Sequence, residues 1–321
     1  MTPKNRLPTV LLLATLAILL MVPASSLVPR AGAPSHAPSV AAPHATVVPG
    51  TSPPSSGWGV PAAAPAPHTL SVRWLNVTNE SSTALPPTWF TEGTWDAADG
   101  YLLYYGGDST QSTTYSSTWS YSGGQWTDQS GASRPPVETG PALAYDPNAG
   151  SVVMIGGYSN SAPFTYNSST WLYSSGSWSS QATNASMPPR TAAAMSYDPD
   201  LGGVLVFGGY DNRVSSGSVD LNDTWLYAGG SWRAVHTNVG PSTRAWPTAA
   251  YDPGRHELVL YSGTPDSAAS CLGDTWTLSG TVPASTWTLH PAGAGGPPAL
   301  CGASLVYDPQ RGEVVLMGGL V

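Results

Sequence analysis

Five apolar runs recur between residues 101 and 319: YLLYYGG from Tyr101, SVVMIGG from Ser151, GVLVFGG from Gly203, the degenerate LVLYSG from Leu258 and EVVLMGG from Glu313. Their apolar residues are near-consecutive and do not alternate with polar ones. A short run of that kind, closed by glycine, reads as a strand buried on both faces. Each run follows an anchor dipeptide: Tyr-Asp-Pro at Asp146, Asp198, Asp252 and Asp308, and the variant Trp95-Asp96. Successive anchor aspartates are 50, 52, 54 and 56 residues apart. The chain is therefore a repeat, and its motifs are read as members of a set.

Small residues precede the anchors, as in GPALAYD, TAAAMSYD and PTAAYD. After each of the first four runs comes Thr-Trp, at Trp119, Trp171, Trp225 and Trp276, and then a second tryptophan, at Trp126, Trp178, Trp232 and Trp287. Each unit predicts four strands. Strand A is the small-residue segment, B the apolar run, C the Thr-Trp segment and D the segment with the second tryptophan. Turns such as DPNAG join A to B, and SGGQ or AGGS join C to D. Small residues suit strand A if sheets crowd around a central axis. Asp followed by Pro and Gly is turn chemistry, so the repeated aspartate is expected to cap turn amides and not to form a metal ring.

The first 69 residues lack the repeat. Lys4 and Arg6 precede an uncharged stretch of 16 residues, Leu7 to Val22, and then small residues at Ala24 and Ser26. This pattern predicts a signal peptide over 1–26, or an N-terminal anchor. Residues 27–69 are rich in Pro, Ala and Ser, with almost no charge. Such a segment reads as a disordered linker. The repeat occupies 70–321.

Composition supports a β protein outside the cytoplasm. The chain has 35 Gly, 32 Pro and 13 Trp against 3 Phe, and Lys4 is its only lysine. Only 9% of residues are charged and the net charge is −8. That balance provides no basic surface for nucleic acid. Cleavage after residue 26 would leave 9 basic and 19 acidic residues, a net charge of −10.

The glycine pair after an apolar strand, the tryptophan at a later fixed position and the period near 50 resemble the kelch repeat. That resemblance implies an all-β fold, a β-propeller of four-stranded antiparallel blades. Four units are complete, from strand A to strand D. Trp74, in SVRWLNVT, matches a strand D, and the chain closes with a strand A (Ala303 to Tyr307) and a strand B (Gly312 to Met317). Closing one blade from these parts leaves strand C missing. The expectation is a propeller incomplete at its C-terminus, with a gapped five-bladed closure as the rival.

Alternating strand direction puts the B–C and D–A loops on one face, around one mouth of a central channel. These loops are the long, variable ones, so this face is the expected binding surface. Seven residues before each anchor aromatic stand Thr88, Glu138, Arg190, Arg244 and Leu300. Arg190 and Arg244, with Glu138, are candidates to hold an acidic or hydroxyl-rich ligand. Their structural alternative is bonding to loop carbonyls of the next blade. Trp89 and Trp246, with Tyr158 and Tyr210 just after the glycine pairs, are candidate rings to stack on a sugar or anchor a protein, or else to close the tapered channel mouth. Glu92 is the only acid inside a strand A and is expected to line the channel or pair with an Arg. Cys271 and Cys301 map to one face of adjacent blades and predict a disulfide. Five N-x-S/T sequons, at Asn76, Asn79, Asn167, Asn184 and Asn222, are candidate glycosylation sites.

These features point to a non-catalytic extracellular recognition or adhesion module that binds glycan or protein, secreted or at the cell surface. Contact with a membrane is expected only if the N-terminal segment stays uncleaved. No cofactor or metal is expected. One alternative is a secreted enzyme, since some kelch-like propellers carry a copper radical oxidase site. The repeat's three histidines, placed in a strand D (His236), an A–B turn (His256) and just beyond a strand D (His290), do not converge. Its catalytic residues would then lie beyond Val321. The other alternative is a structural surface component.

Overall fold

The structure is a computed structural model that describes residue 85 and residues 88–109, 114–136, 138–159, 165–183, 187–211, 219–265, 270–291 and 296–320. The expected signal peptide, the linker and Trp74 lie outside the described residues, as do Asn76, Asn79 and Asn184.

The first sheet contains β1 (Glu92–Asp96), β2 (Tyr101–Tyr105), β3 (Thr118–Ser122) and β4 (Gln125–Asp128), in that spatial order. The next unit runs β5 (Ala142–Asp146), β6 (Ser151–Ile155), β7 (Tyr158–Ser159), β8 (Thr165–Tyr166), β9 (Thr170–Ser174) and β10 (Ser177–Gln181). Its sheet is β5-β6-β9-β10, and β7 and β8 form a separate ribbon. The third unit repeats this plan with β11 (Ala194–Asp198), β12 (Gly203–Phe207), β13 (Tyr210–Asp211), β14 (Val219–Asp220), β15 (Thr224–Ala228) and β16 (Ser231–Val235). Here β13 and β14 are the ribbon. The fourth sheet is β17 (Thr248–Asp252), β18 (Glu257–Tyr261), β19 (Thr275–Ser279) and β20 (Thr286–His290). Last come β21 (Cys301–Asp308) and β22 (Glu313–Leu320), paired with each other alone among the described residues. All of these pairings are antiparallel. The protein is all-β, built of blade-like sheets as the repeat predicted. The last pair is longer than the expected strand A and strand B of the fifth unit.

The inner strands β1, β5, β11, β17 and β21 lie side by side in that order. This stacks the sheets face to face, which is why strand B is apolar at consecutive positions. Leu103 and Tyr105 of the first sheet pack with Leu143, Val152, Met154 and Trp178 of the second. On the other face of the second sheet, Ala142, Ala144, Val153 and Ile155 meet Val204, Val206 and Trp232. Leu205, Phe207 and Leu226 then meet Leu258, Leu260 and Trp287. Val152, Val153, Val204 and Val206 are fully buried.

Three repeat signatures acquire a physical cause. The strand D tryptophan donates its indole N–H to the Thr of the preceding unit's Thr-Trp pair: Trp178 to Thr118 at 2.8 Å, Trp232 to Thr170 at 2.8 Å and Trp287 to Thr224 at 3.2 Å. The two motifs are thus one contact, made between neighbouring sheets. The glycine pair stitches the same neighbours. Gly157 N donates to Arg190 O at 2.8 Å, and Gly209 N donates to Arg244 O at 2.9 Å. Gly156 has φ +74°, and a Cβ there would overlap the Arg190 carbonyl. At the degenerate fourth run, Ser262 keeps a left-handed φ of +73°, and its hydroxyl donates to Leu300 O. Finally, each anchor aspartate caps its own turn. Asp198 Oδ1, for example, accepts from Asp200 N at 2.9 Å and Leu201 N at 3.0 Å. Asp96, Asp146, Asp252 and Asp308 do the same.

Candidate functional site

The B–C and D–A loops do share a face. The residue at the end of each D–A loop bridges to the residue just after the glycine pair: Trp89 to Asp108, Thr139 to Tyr158, Thr191 to Tyr210 and Ala245 to Thr264. The next residue along takes a left-handed conformation in every unit: Phe90 (φ +52°), Gly140 (+61°), Ala192 (+55°), Trp246 (+53°) and Gly302 (+60°). These residues are joined in series. Gly140 N donates to Phe90 O at 2.7 Å, Ala192 N to Gly140 O at 2.9 Å and Trp246 N to Ala192 O at 2.8 Å. An arc of backbone hydrogen bonds therefore rims the mouth of the cavity. Left-handed φ costs a non-glycine residue about 1 kcal/mol or more, and this arc holds it in place. The aromatic partner of Trp246 in the repeat is Phe90, one position away from the Trp89 that the sequence singles out. Both stand five residues before the anchor aromatic, so the repeat register carried this equivalence.

Arg190 and Arg244 are almost fully buried. The Arg190 guanidinium makes two bonds of 2.8 Å to the Asp223 carboxylate and donates to Gly208 O and Pro188 O. Arg244 repeats this with Asp274 at 2.8 Å, Ser262 O and Ser242 O. The charge-assisted bonds to these arginines, with others from Trp225 and Trp276, hold the Asp223 and Asp274 carboxyls below the ordinary carboxylate range, against the opposing effect of burial. Each arginine ties the D–A loop to the start of strand C in its own sheet. Neither partner is among the residues that the sequence singles out, although Asp223 and Asp274 share a repeat position two residues before a strand C tryptophan.

Glu138 takes the same place in the second sheet, where the partner position is Ser169. Its Oε1 accepts from Asn167 Nδ2 at 2.7 Å, while Oε2 is buried without a hydrogen-bond partner. Burial pushes its carboxyl up to about 7. Asn167, a sequon residue, spends its amide on Glu138 and accepts Ser169 N at 2.7 Å on its Oδ1. Asn222 is exposed. Cys271 and Cys301 are joined by a disulfide, with Cα atoms 5.2 Å apart.

The B–C ribbons have no signature in the repeat, and they carry aromatic rings above the loop face. Tyr158 and Tyr166 stack at 5.4 Å and 17°, and Tyr166 meets Tyr210 of the next unit at 5.9 Å. All three rings are half-buried, as are Trp89 and Trp246. Tyr158 and Tyr210 follow the glycine pairs, as the repeat indicated. Tyr166 joins them because β8 folds back on β7.

Below the mouth, the inner strands of all five sheets line one cavity of about 510 Å³. Phe90 and Trp246 stand at its rim, and Glu92 is the one charged residue among the described residues lining it. Glu92 thus lines the cavity, as expected, and pairs with no arginine among the described residues. The histidines are scattered. His236 follows β16, where the sequence placed it inside strand D, and His290 ends β20, where it was placed just beyond. His256 lies in the A–B turn, beside Asp200 at 3.1 Å. Among the described residues no group of three or more His, Cys, Asp or Glu is placed to hold a metal ion. No helix among them is long and apolar enough to cross a membrane.

No protein-family model and no curated protein matches the chain.

Proposed function

We propose that this chain is a non-catalytic extracellular recognition module of the kelch propeller type, secreted or held at the cell surface, that binds glycan through its long-loop face. The observation that carries this reading is the cluster of Tyr158, Tyr166 and Tyr210, rings from two adjacent units raised on the B–C ribbons. Half-buried aromatic rings of this kind offer apolar faces to the C–H side of a sugar, and their hydroxyls bond its edges. Trp89 lies on the same face. The polar heads of Arg190 and Arg244 are committed to the loops below, so the rings supply the contact. The disulfide supports a place in an oxidising compartment.

Glycan-array binding by the whole chain tests this reading, with Tyr166→Ala and Tyr210→Ala as variants. Binding to a defined set of glycans, reduced tenfold or more in both variants at unchanged Tm, is the expected result. A folded chain that binds no glycan, or variants that bind as the parent does, would overturn it. Capture of a protein ligand on the same face would favour adhesion to protein.

A further inference from the structure

Glu92 has no counterpart in the repeat. The matching residues of the other inner strands are Ala142, Ala194, Thr248 and Ser304. The walls around it carry apolar residues such as Leu143, Ala144, Met195 and Ala250, with the neutral hydroxyls of Thr248 and Ser304 at the matching positions. No hydrogen bond or ion pair with a described residue reaches its carboxylate, which is half-buried and open to the cavity. Other buried carboxylates of this protein have at least one oxygen bonded, even where the second is left over, as at Glu138. Asp223 and Asp274 meet arginines, and the anchor aspartates meet turn amides. A lone carboxylate in such a chamber is costly unless something of opposite charge joins it. Two residues before Glu92, Phe90 stands at the rim with Trp246, and aromatic faces attract cations. The chamber volume lies within the range of small-molecule sites.

We infer that the central cavity is a binding site for an organic cation, an ammonium group carried on a small apolar body. The ammonium pairs with Glu92, the apolar part fills the space between the inner strands, and Trp246 and Phe90 close over the mouth. The site is separate from the tyrosine cluster, so it stands or falls independently of glycan binding.

Burial alone raises the Glu92 carboxyl to about 8. Among the described residues, the other titratable groups lining the cavity are tyrosines: Tyr121 on β3, Tyr145 on β5, Tyr197 on β11, Tyr251 on β17 and Tyr307 on β21. On β2, Tyr104 also feels the Glu92 charge, which helps burial hold its phenol above the ordinary range. Asp200 and His256 reach only the Tyr251 hydroxyl, in the A–B turns. Glu92 is thus the group whose charge changes at the ligand between pH 7 and 9, while an alkylammonium stays charged there.

Titration calorimetry of the full chain with n-hexylamine and with n-hexanol tests the site. Hexylamine is expected to bind at one site per chain, about tenfold more tightly at pH 9 than at pH 7, as Glu92 ionises. Glu92→Gln should weaken hexylamine at least tenfold at pH 9 and remove the pH dependence, leaving hexanol unaffected. Trp246→Ala should weaken hexylamine several-fold; Ala192 already occupies the equivalent left-handed position, so the fold tolerates alanine there. Equal binding of amine and alcohol, undiminished binding in Glu92→Gln, or no binding of hexylamine by the folded chain would each overturn the proposal.

Discussion

The indole N–H of Trp232 donates to the hydroxyl of Thr170 at 2.8 Å, joining strand D of one sheet to strand C of the sheet before it. The bond is buried, and 62 residues of chain separate its ends. The same pair recurs at Trp178 with Thr118 and at Trp287 with Thr224. Thr170→Val keeps the side-chain shape and leaves the indole donor without a partner. A loss of about 1–3 kcal/mol is expected, and Trp232→Ala should cost about 3–5 kcal/mol. In urea unfolding, a double variant that loses the full sum of both effects would show that the two residues are uncoupled.

Asp223→Asn removes the charge that answers the buried Arg190. Breaking a buried pair from one side costs about 3–5 kcal/mol. Because the Asp223 carboxyl is held below its ordinary range, the stability it contributes is present above about pH 4 and is lost as pH falls through its folded value. Acid unfolding of the parent chain followed by tryptophan fluorescence should therefore be steep below pH 4 and shallower in the Asn variant.

Glu138 works in the opposite direction. Its carboxyl titrates near 7 in the fold and near the ordinary value of 4.5 when unfolded. The folded state holds the proton longer, so Glu138 makes stability fall as pH rises from about 4.5 to about 7. Glu138→Gln keeps the shape and the acceptor for Asn167. It should gain roughly 2–3 kcal/mol at pH 8 relative to the parent and flatten this part of the pH profile. Equal denaturation midpoints at pH 5 and pH 8 in the parent would contradict the assignment, once the Glu92 contribution is removed with Glu92→Gln.

Two glycines with similar φ should respond differently to alanine. A methyl group on Gly150, at +60°, would have nothing within 4 Å of it, whereas a Cβ on Gly156, at +74°, meets the Arg190 carbonyl. Gly150→Ala should cost about 1 kcal/mol from φ alone. Gly156→Ala should cost several kcal/mol more, because two sheets must part to admit the methyl group. Thermal unfolding of the two variants side by side measures the difference.

Removing the disulfide by Cys271→Ser with Cys301→Ser opens a loop closed across 30 residues. About 3 kcal/mol of stability should be lost. Addition of a reductant to the parent should reproduce the same shift in Tm and leave the double variant unchanged.

Periodicity alone determined the unit length, the four strands of each complete unit, the order of the sheets and the capping role of the anchor aspartates. These are local or repeated properties, and repetition averages away the ambiguity of any one short segment. The disulfide was legible for the same reason, since the repeat maps both cysteines to one face. What single positions do depended on the tertiary structure. The sequence placed Arg190 and Arg244 at the right height but could not show whether their heads face solvent or Asp223 and Asp274. Burial and partners come from packing between segments some 30 residues apart. It pointed to Trp89, although counting five residues back from each anchor equates Phe90 with Trp246; what only the structure shows is that this position is left-handed in every unit. It flagged Glu92 as an acid among small residues. Only the gathering of five inner strands turned that oddity into a lone carboxylate in a chamber whose other described lining residues are uncharged.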